Sequence, residues 1–578
     1  MARIAIIGSG PTGIYTLKGL ISHPAGLSIT VFEESPDPGK GTPYHPAVND
    51  KAMLANIASI EIPPIIDSLV GWLRSRSNEE LQNLGIARDA IGEREFYPRI
   101  VLGDYFAAQF WELVRRGHAA GHTIDVRGSC RIADIALNAH DLTVTATSSE
   151  NSPCRLSFDH VVMATGHDWP QDTETSPGYF ASPWPAAAIK RIKAVKVGVL
   201  GTSLSGIDAV VSVATAHGVF LRDDMGALLY QPLQGREDLH ITMMSRKGLL
   251  PEADFYCPIP YEPLAICTPM AVEQAVHDEP DRLLDAVFDL FKQELARADP
   301  DFAARIGLAL ATVEDISDRY FRERTASDQF VWAGRVLAQA KRDKIERNTV
   351  PWRYAILRMH EVIARAVPHF SNGDLGRFHK YFKTVFVDDY ATVPHESIER
   401  LLALHNAGKL EVMATGSDYT IEKTDGQPGV ELTIAASSPI RFAAFIDATG
   451  QHPLSAKDIP FESLRRQDVI RQAQTPTNSL GGDGCDLRPT GGIDVDESFR
   501  PKFEANLTNQ LYCVSVPFLL HKLPFVQGIT SASDMGEIVS ESIRSALGKV
   551  SQLLPFPVST ERLNRSPTPT TPTEDTVA

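Results

Sequence analysis

Cysteine is scarce, with six in 578 residues: Cys130, Cys154, Cys257, Cys267, Cys485 and Cys513. None stand at Cys-x-x-Cys spacing, which excludes a thiol redox pair and a zinc knuckle and points to a reducing, cytoplasmic setting. Long apolar runs are missing too, and no stretch reaches the roughly 20 residues of a membrane span. No secretory leader is expected, because the strand "RIAIIG" fills its place. Positive charge is in deficit: 56 Lys and Arg stand against 72 Asp and Glu, a formal net charge of −16. That balance excludes the basic footprint a nucleic acid needs, though not a local cationic pocket. Tandem repeats are absent. The chain is too long for one core, so two or more domains are expected.

What is present begins at once. "RIAIIGSGPTGIYTLKGL" reads as strand, glycine turn and helix, and "LSITVFEES" adds a second strand. Gly8-Ser9-Gly10-Pro11-Thr12-Gly13 fits G-x-G-x-x-G in the context that gives it meaning. Gly8 allows the tight turn, Gly10 lets a pyrophosphate approach the backbone, and Gly13 lets helix and strand pack closely. The helix start supplies unpaired N–H groups for the phosphates. Glu33, at the end of the second strand, offers a carboxylate to both ribose hydroxyls and would repel a 2′-phosphate. Two apolar strands, "FDHVVMATG" and "FAAFIDATG", end in Ala164-Thr165-Gly166 and Ala448-Thr449-Gly450. Strands of this form run beside a flavin nucleotide, so FAD rather than NAD is expected at the first turn.

A second unit of the same kind starts near residue 195 with "KVGVLGTSLSGIDAVVSVATAHG". Its turn, Gly201-Thr202-Ser203-Leu204-Ser205-Gly206, carries Ser203 at the middle glycine position. A long polar stretch delays the next strand, "LHITMMSRKG", which ends in Ser245-Arg246-Lys247. Cations at that position match a 2′-phosphate, so NADPH is expected over NADH. The fold class is therefore α/β, with two Rossmann-like dinucleotide-binding domains and a helical insert. Residues 1–194 read as the first part of the FAD domain and 195–270 as the first part of the NADPH domain. Residues 271–395 form a helical insert, expected to cap the substrate, and 396–450 are return strands of the NADPH domain. Residues 451–550 complete the FAD domain, and the Pro/Thr-rich 551–578 is a disordered tail.

"GKGTPYHPAVNDKAMLANIASIEIPP", "FYPRIVLGDYF", "GTSLSGIDAVVSVA", "ITMMSRKGLLP" and "FVQGITSASDMGEIVSESI" resemble segments of the two-dinucleotide-binding flavoproteins of the FAD/NAD(P)-binding family. The long helical segment and the "GTSLSGIDA" form are similar to its amine-oxidising branch, which includes monooxygenases that convert L-aspartate to nitrosuccinate. The F-x-G-x-x-x-H signature of many flavin monooxygenases is absent. The resemblance implies FAD contacts at the first glycine turn, Glu33, Asn56, Arg99, Thr165 and Gly166. Arg99 would be a cation beside the pyrophosphate, and Asn56 an amide directed at flavin or substrate. Near the C-terminus, Gly528 precedes an expected helix whose N–H groups would face the flavin pyrimidine ring.

FAD with NADPH on one chain implies hydride transfer to flavin. Without a thiol pair or an apolar docking element, molecular oxygen is the expected acceptor, reacting through a flavin C4a-hydroperoxide. The expected substrate is a small, aspartate-like amino acid whose amine is oxygenated. Such a substrate would need fixed cations for its carboxylates. The candidates are Arg347, Arg353, Lys380 and Lys383 in the insert, and Lys522. Asn56 and Lys522 are the expected catalytic residues, His45 and His521 the candidate proton carriers, and no metal is required. Two alternatives stay open: a flavin reductase without oxygen insertion, and a non-catalytic nucleotide-binding partner.

Overall fold

The computed structural model describes residues 1–148, 151–167, 173–423, 426–450, 453–476, 487–502, 510–526 and 528–548. The expected disordered tail at 551–578 and Cys485 lie outside the described residues. Arg3–Ile7 (β1) is buried along its length after Arg3, as the central strand of a parallel sheet must be. Pro11–Leu20 (α1) follows, with Pro11 at its first turn, where a missing N–H costs nothing. Ser28–Phe32 (β2) pairs parallel to β1, Arg3 beside Ser28. Arg99–Ala119 (α2) leads to Thr123–Arg127 (β3). A three-stranded antiparallel sheet of Cys130–Leu137 (β4), Leu142–Ser148 (β5) and Asn151–Phe158 (β6) precedes His160–Met163 (β7). Strand β7 takes the other edge of β1, Ile4 beside His160.

The chain then crosses to the second unit earlier than the expected boundary at 194/195. Glu174–Ser176 (β8) and Tyr179–Phe180 (β9) already extend the second sheet. Lys196–Leu200 (β10) runs through the glycine turn into Leu204–His217 (α3). The polar stretch after it is an antiparallel hairpin, Gly218–Arg222 (β11) and Leu228–Pro232 (β12), before His240–Ser245 (β13). The insert is helical as expected and includes Leu283–Ala298 (α4), Ile316–Thr325 (α5), Gln329–Glu346 (α6), Pro351–Ala364 (α7) and Lys383–Tyr390 (α8). The next segment holds a helix, His395–Asn406 (α9), ahead of its strands, because α9 must cross back over the sheet to Leu410–Ala414 (β14). A small antiparallel sheet of Tyr419–Lys423 (β15), Val430–Ile434 (β16) and Ile440–Phe442 (β17) precedes Ala444–Asp447 (β18). The second sheet has the order β14-β13-β10-β18-β9-β8.

Gln472–Pro476 (β19) and Leu487–Ile493 (β20) form a ribbon. Leu511–Cys513 (β21) then completes the first sheet in the order β21-β7-β1-β2-β3. The last helix, Ile529–Ala546 (α10), lies against α1. A Cβ on Gly536 would sit 2.7 Å from the Thr16 nitrogen, and one on Gly19 1.9 Å from Ser540 Oγ. Glycine is what lets these two backbones approach.

Each unit has its own apolar core, and the insert has a third, built on Phe288, Phe291, Phe382 and Phe386. A buried charge cluster fastens the insert to the second unit. Glu252, beyond β13, receives Arg353 Nη2 at 2.5 Å and Arg324 Nη1 at 3.0 Å, and accepts from Trp332 Nε1 at 2.8 Å. Arg324 also meets Asp388 Oδ1 at 2.7 Å. Burial alone would raise the Glu252 carboxyl, but the two guanidinium groups beside it hold it below the usual range. Among the described residues no helix is long and apolar enough to cross a membrane.

Candidate functional site

The two glycine turns share one geometry. Gly8 has φ +103°, and a Cβ there would lie 2.2 Å from the Ala164 carbonyl oxygen; Gly201 has φ +129°, and a Cβ there would lie 2.5 Å from the Ala448 oxygen. Gly13 and Gly206 approach the carbonyls of Gly8 and Gly201, at 2.1 and 2.2 Å from their would-be Cβ atoms. Each Ala-Thr-Gly strand end is thus the wall against which a glycine turn is folded. Both sheets also reverse strand order beside β1 and β10, the crevice where α/β sheets take ligands. Ser203 adopts the extended conformation of Gly10, φ −94° against −71°, so a side chain is tolerated at that point.

At the first turn Glu33 is held in place. Its Oε2 accepts from the Ser9 N–H at 3.0 Å and Ser9 Oγ at 2.7 Å, and Oε1 accepts from the Ser35 N–H at 3.0 Å. Gly41, with φ +77°, lies over the turn, its Cα 3.3 Å from where a Gly10 Cβ would be. A glycine cradle, a fixed carboxylate and an open helix start fit an adenine dinucleotide. None of α1, α3 and α10 has a side-chain cap on its first N–H groups. The insert helix Pro269–Asp278 is capped by Thr268, and α6 by Asp328. The starts of α1, α3 and α10 keep donors available for anionic groups, as do other helix starts without a side-chain cap, α2 and α7 among them.

A cavity of about 1540 Å³ lies where these parts meet. It is lined by Thr42, Tyr44, Asn56 and Arg99 of the first unit, and by Leu204, Ser205 and Gly450 of the second. Gly528 and Thr530 at the start of α10 also line it, and the insert contributes His360, Glu361 and Tyr390. Asn56, Arg99, Ser205, Gly450 and Gly528, far apart in sequence, are thus brought together. His167, just after the first Ala-Thr-Gly, also faces it. The Tyr390 ring stands between His360 and Phe525, at centroid distances of 5.4 and 5.5 Å. Glu61 forms part of the wall; its Oε2 accepts from the Ala58 N–H at 2.9 Å, and Tyr261 donates to Oε1 at 3.4 Å. Burial pushes the Glu61 carboxyl up, against the Ala58 amide, the Tyr261 hydroxyl and Arg94. Glu61, Glu361, His167 and Tyr390 carry no local motif; only the "EIPP" and "ATGH" contexts hint at two of them.

Several expectations are corrected. Arg99 does not stand free for a pyrophosphate: its Nη2 pairs with Asp208 Oδ2 of α3 at 2.8 Å. Lys522 does not line the cavity; its ammonium donates to the Val495 carbonyl at 2.9 Å, turned away by the local helical turn at 516–522. None of Arg347, Arg353, Lys380 and Lys383 lines it either, and Arg353 is spent on Glu252. His45 sits apart, near Ser35 Oγ at 3.2 Å, and His521 is pushed down to about 4 by burial. Thr165 Oγ1 lies 2.7 Å from Ser515 Oγ, which joins its strand end to the one after β21, while Gly166 is exposed with φ +74°. Thr202 donates to Ser245 Oγ at 3.1 Å, holding the second turn to the end of β13. Arg246 is exposed beyond that strand end, and Lys247 turns onto the insert.

This is the architecture of a two-dinucleotide-binding flavoprotein, and residues 5–168 match the FAD-NAD(P)-binding family. Residues 268–390, the helical insert, match the YdhS-like middle domain. The chain is 40% identical over 558 residues to the protein YdhS of Escherichia coli (strain K12), covering 96% of this chain and all of that one. It belongs to the YdhS family. Among solved structures it is similar to ornithine N-hydroxylase of Kutzneria sp. 744, at 12% identity and TM-score 0.49, covering 94% of this chain and 99% of that one. It is also similar to L-lysine 6-monooxygenase of Pseudomonas syringae, at 14% identity and TM-score 0.46, covering 95% and 99%.

Proposed function

We propose that the chain is an FAD-dependent, NADPH-consuming oxidoreductase that oxygenates the amine of a small amino acid. The observation that carries this reading is the shared cavity, where the start of α3, the end of β18 and the start of α10 face one another under the insert. FAD reduced by NADPH supplies, with dioxygen, the electrons and the oxygen atom for such a reaction. The chain's own residues do the rest. The start of α10 offers N–H donors to the anionic end of the flavin, and Asn56 orients what lies beside it. Glu61, raised by burial, is suited to accept the proton that an ammonium must lose before its nitrogen can act as a nucleophile. Glu361 adds a second carboxylate on the same wall.

This wall favours a substrate that brings an ammonium group. The cavity's own Lys and Arg side chains are engaged: Arg99 with Asp208, Arg500 with Asp496, Arg544 with Glu541, and Lys18 with the Pro64 carbonyl. Among the described residues no cysteine lines the cavity, which weighs against a disulfide acceptor.

The test is NADPH oxidation and O₂ uptake by the FAD-loaded protein across a panel of amino acids and amines, aspartate among them, with product masses. Substrate-stimulated turnover with matched O₂ uptake and little free H₂O₂ is the expected result. Undiminished dye-linked turnover under nitrogen would make it a reductase, and firmly bound FAD without any turnover would make it a nucleotide-binding partner.

A further inference from the structure

The end of β13 is where an α/β unit recognises the ribose of its dinucleotide. Lys247 stands there, yet its ammonium turns onto α5 of the insert. It donates to Ser317 Oγ at 3.0 Å, lies 4.5 Å from the Phe321 ring centroid, and meets the exposed Asp318 carboxylate at 3.4 Å. A cleft of about 370 Å³ opens at this point, walled by Lys247, Phe321, Arg322 and Thr325. Of the three arginines on α5, Arg319 is paired with Asp315 and Arg324 with Glu252 and Asp388. Arg322, one turn after Asp318 on the same face, is exposed and has no ion pair or hydrogen bond to its guanidinium among the described residues. In a chain of net charge −16, two cations (Lys247 and Arg322) wall this cleft beside one carboxylate, Asp318.

We propose that α5 of the insert completes the site for the 2′-phosphate of the dinucleotide, with Arg322 joining Lys247 and Arg246 as its cations. The proposal rests on the NADPH reading above and extends it from the nucleotide unit to the insert. A phosphate dianion would replace Asp318 as the partner of Lys247 and bring a second charge within reach of Arg322. The insert would then read which dinucleotide is bound at one end while lining the substrate cavity at the other.

The probes are 2′,5′-ADP and 5′-ADP, titrated calorimetrically into the FAD-loaded full chain, so that the first turn is occupied. The wild type is expected to prefer 2′,5′-ADP. Arg322→Ala should weaken 2′,5′-ADP about tenfold and leave 5′-ADP unmoved. Asp318→Asn, which removes the competing carboxylate, should tighten 2′,5′-ADP a few-fold. If Arg322→Ala keeps the full preference while Arg246→Ala loses it, the insert's part is overturned and the NADPH reading stands. A wild type that binds both probes equally overturns that reading and this inference with it. No tightening in Asp318→Asn counts against the clamp.

Discussion

Arg99 Nη2 lies 2.8 Å from Asp208 Oδ2, joining the helix behind the first glycine turn to the helix that starts at the second. Both side chains are nearly buried, at 13% and 6% exposure. Burial pushes the Asp208 carboxyl up to about 6, with Arg99 and Arg400 opposing. A carboxyl whose folded pKa is raised holds its proton more tightly in the native state. Its contribution to stability therefore falls as pH rises from the ordinary carboxylate range to about 6 and is level above that. Arg99→Ala should cost about 3 kcal/mol near pH 7.5, where it leaves a buried charge unpaired. The cost should shrink near pH 5, where Asp208 is already protonated. Urea unfolding at the two pH values measures this; an equal cost at both would remove the pair from the account.

Gly10 and Gly8 make a contrasting pair. Valine at Gly10 fills the space under Gly41 where a pyrophosphate must pass, while Gly10 itself has ordinary backbone angles. Gly10→Val should leave the far-UV circular dichroism unchanged and yield protein without flavin absorbance. Gly8→Ala should instead lower the melting temperature, since its Cβ would press into the Ala164 carbonyl at φ +103°.

At the second unit, Arg246→Ala should raise the Michaelis constant for NADPH several-fold and leave that for NADH in place. Equal effects on both would mean that the exposed arginine has no part in recognising the phosphate.

The buried cluster between second unit and insert holds two guanidinium groups, Arg324 and Arg353, and three carboxyl groups, Glu252, Asp388 and Asp389. Glu252 and Asp388 are each paired with an arginine. Burial drives the third, Asp389, well above the usual range, which favours its neutral form. Asp389→Asn should therefore change stability by less than about 0.5 kcal/mol, whereas Asp388→Asn, which removes a paired charge, should cost about 2 kcal/mol or more. Denaturant midpoints decide, and a reversed order would mean the proton sits elsewhere.

The glycine turns and the Ala-Thr-Gly strand ends were legible because each is a local event. A carbonyl that leaves no room for a Cβ forces a glycine into the sequence, and the strand that brings that carbonyl keeps its own pattern. The helical insert was legible by its apolar period. Arg99 was not: its partner lies more than a hundred residues on, and no spacing announces an ion pair between domains. Lys522 stands close in sequence to the start of α10, but nearness along the chain is not nearness in space: its ammonium turns back to Val495. Glu61, Glu361 and Arg322 have roles set by which segments the fold lays side by side. The hairpin at 218–232 was hidden because its exposed face mixes Val219, Leu221 and Leu229 with polar neighbours.

The first sheet receives its last strand, β21, and its last helix, α10, from residues beyond 510, after the whole second unit and the insert have been made. During synthesis β1, β2 and β3 must therefore wait, with one sheet edge open and α1 uncovered along Gly19, until residues beyond 510 have emerged. The second unit and the insert can mature on their own schedule, but the flavin-binding sheet closes only when two segments about 350 residues apart, β7 and β21, have met.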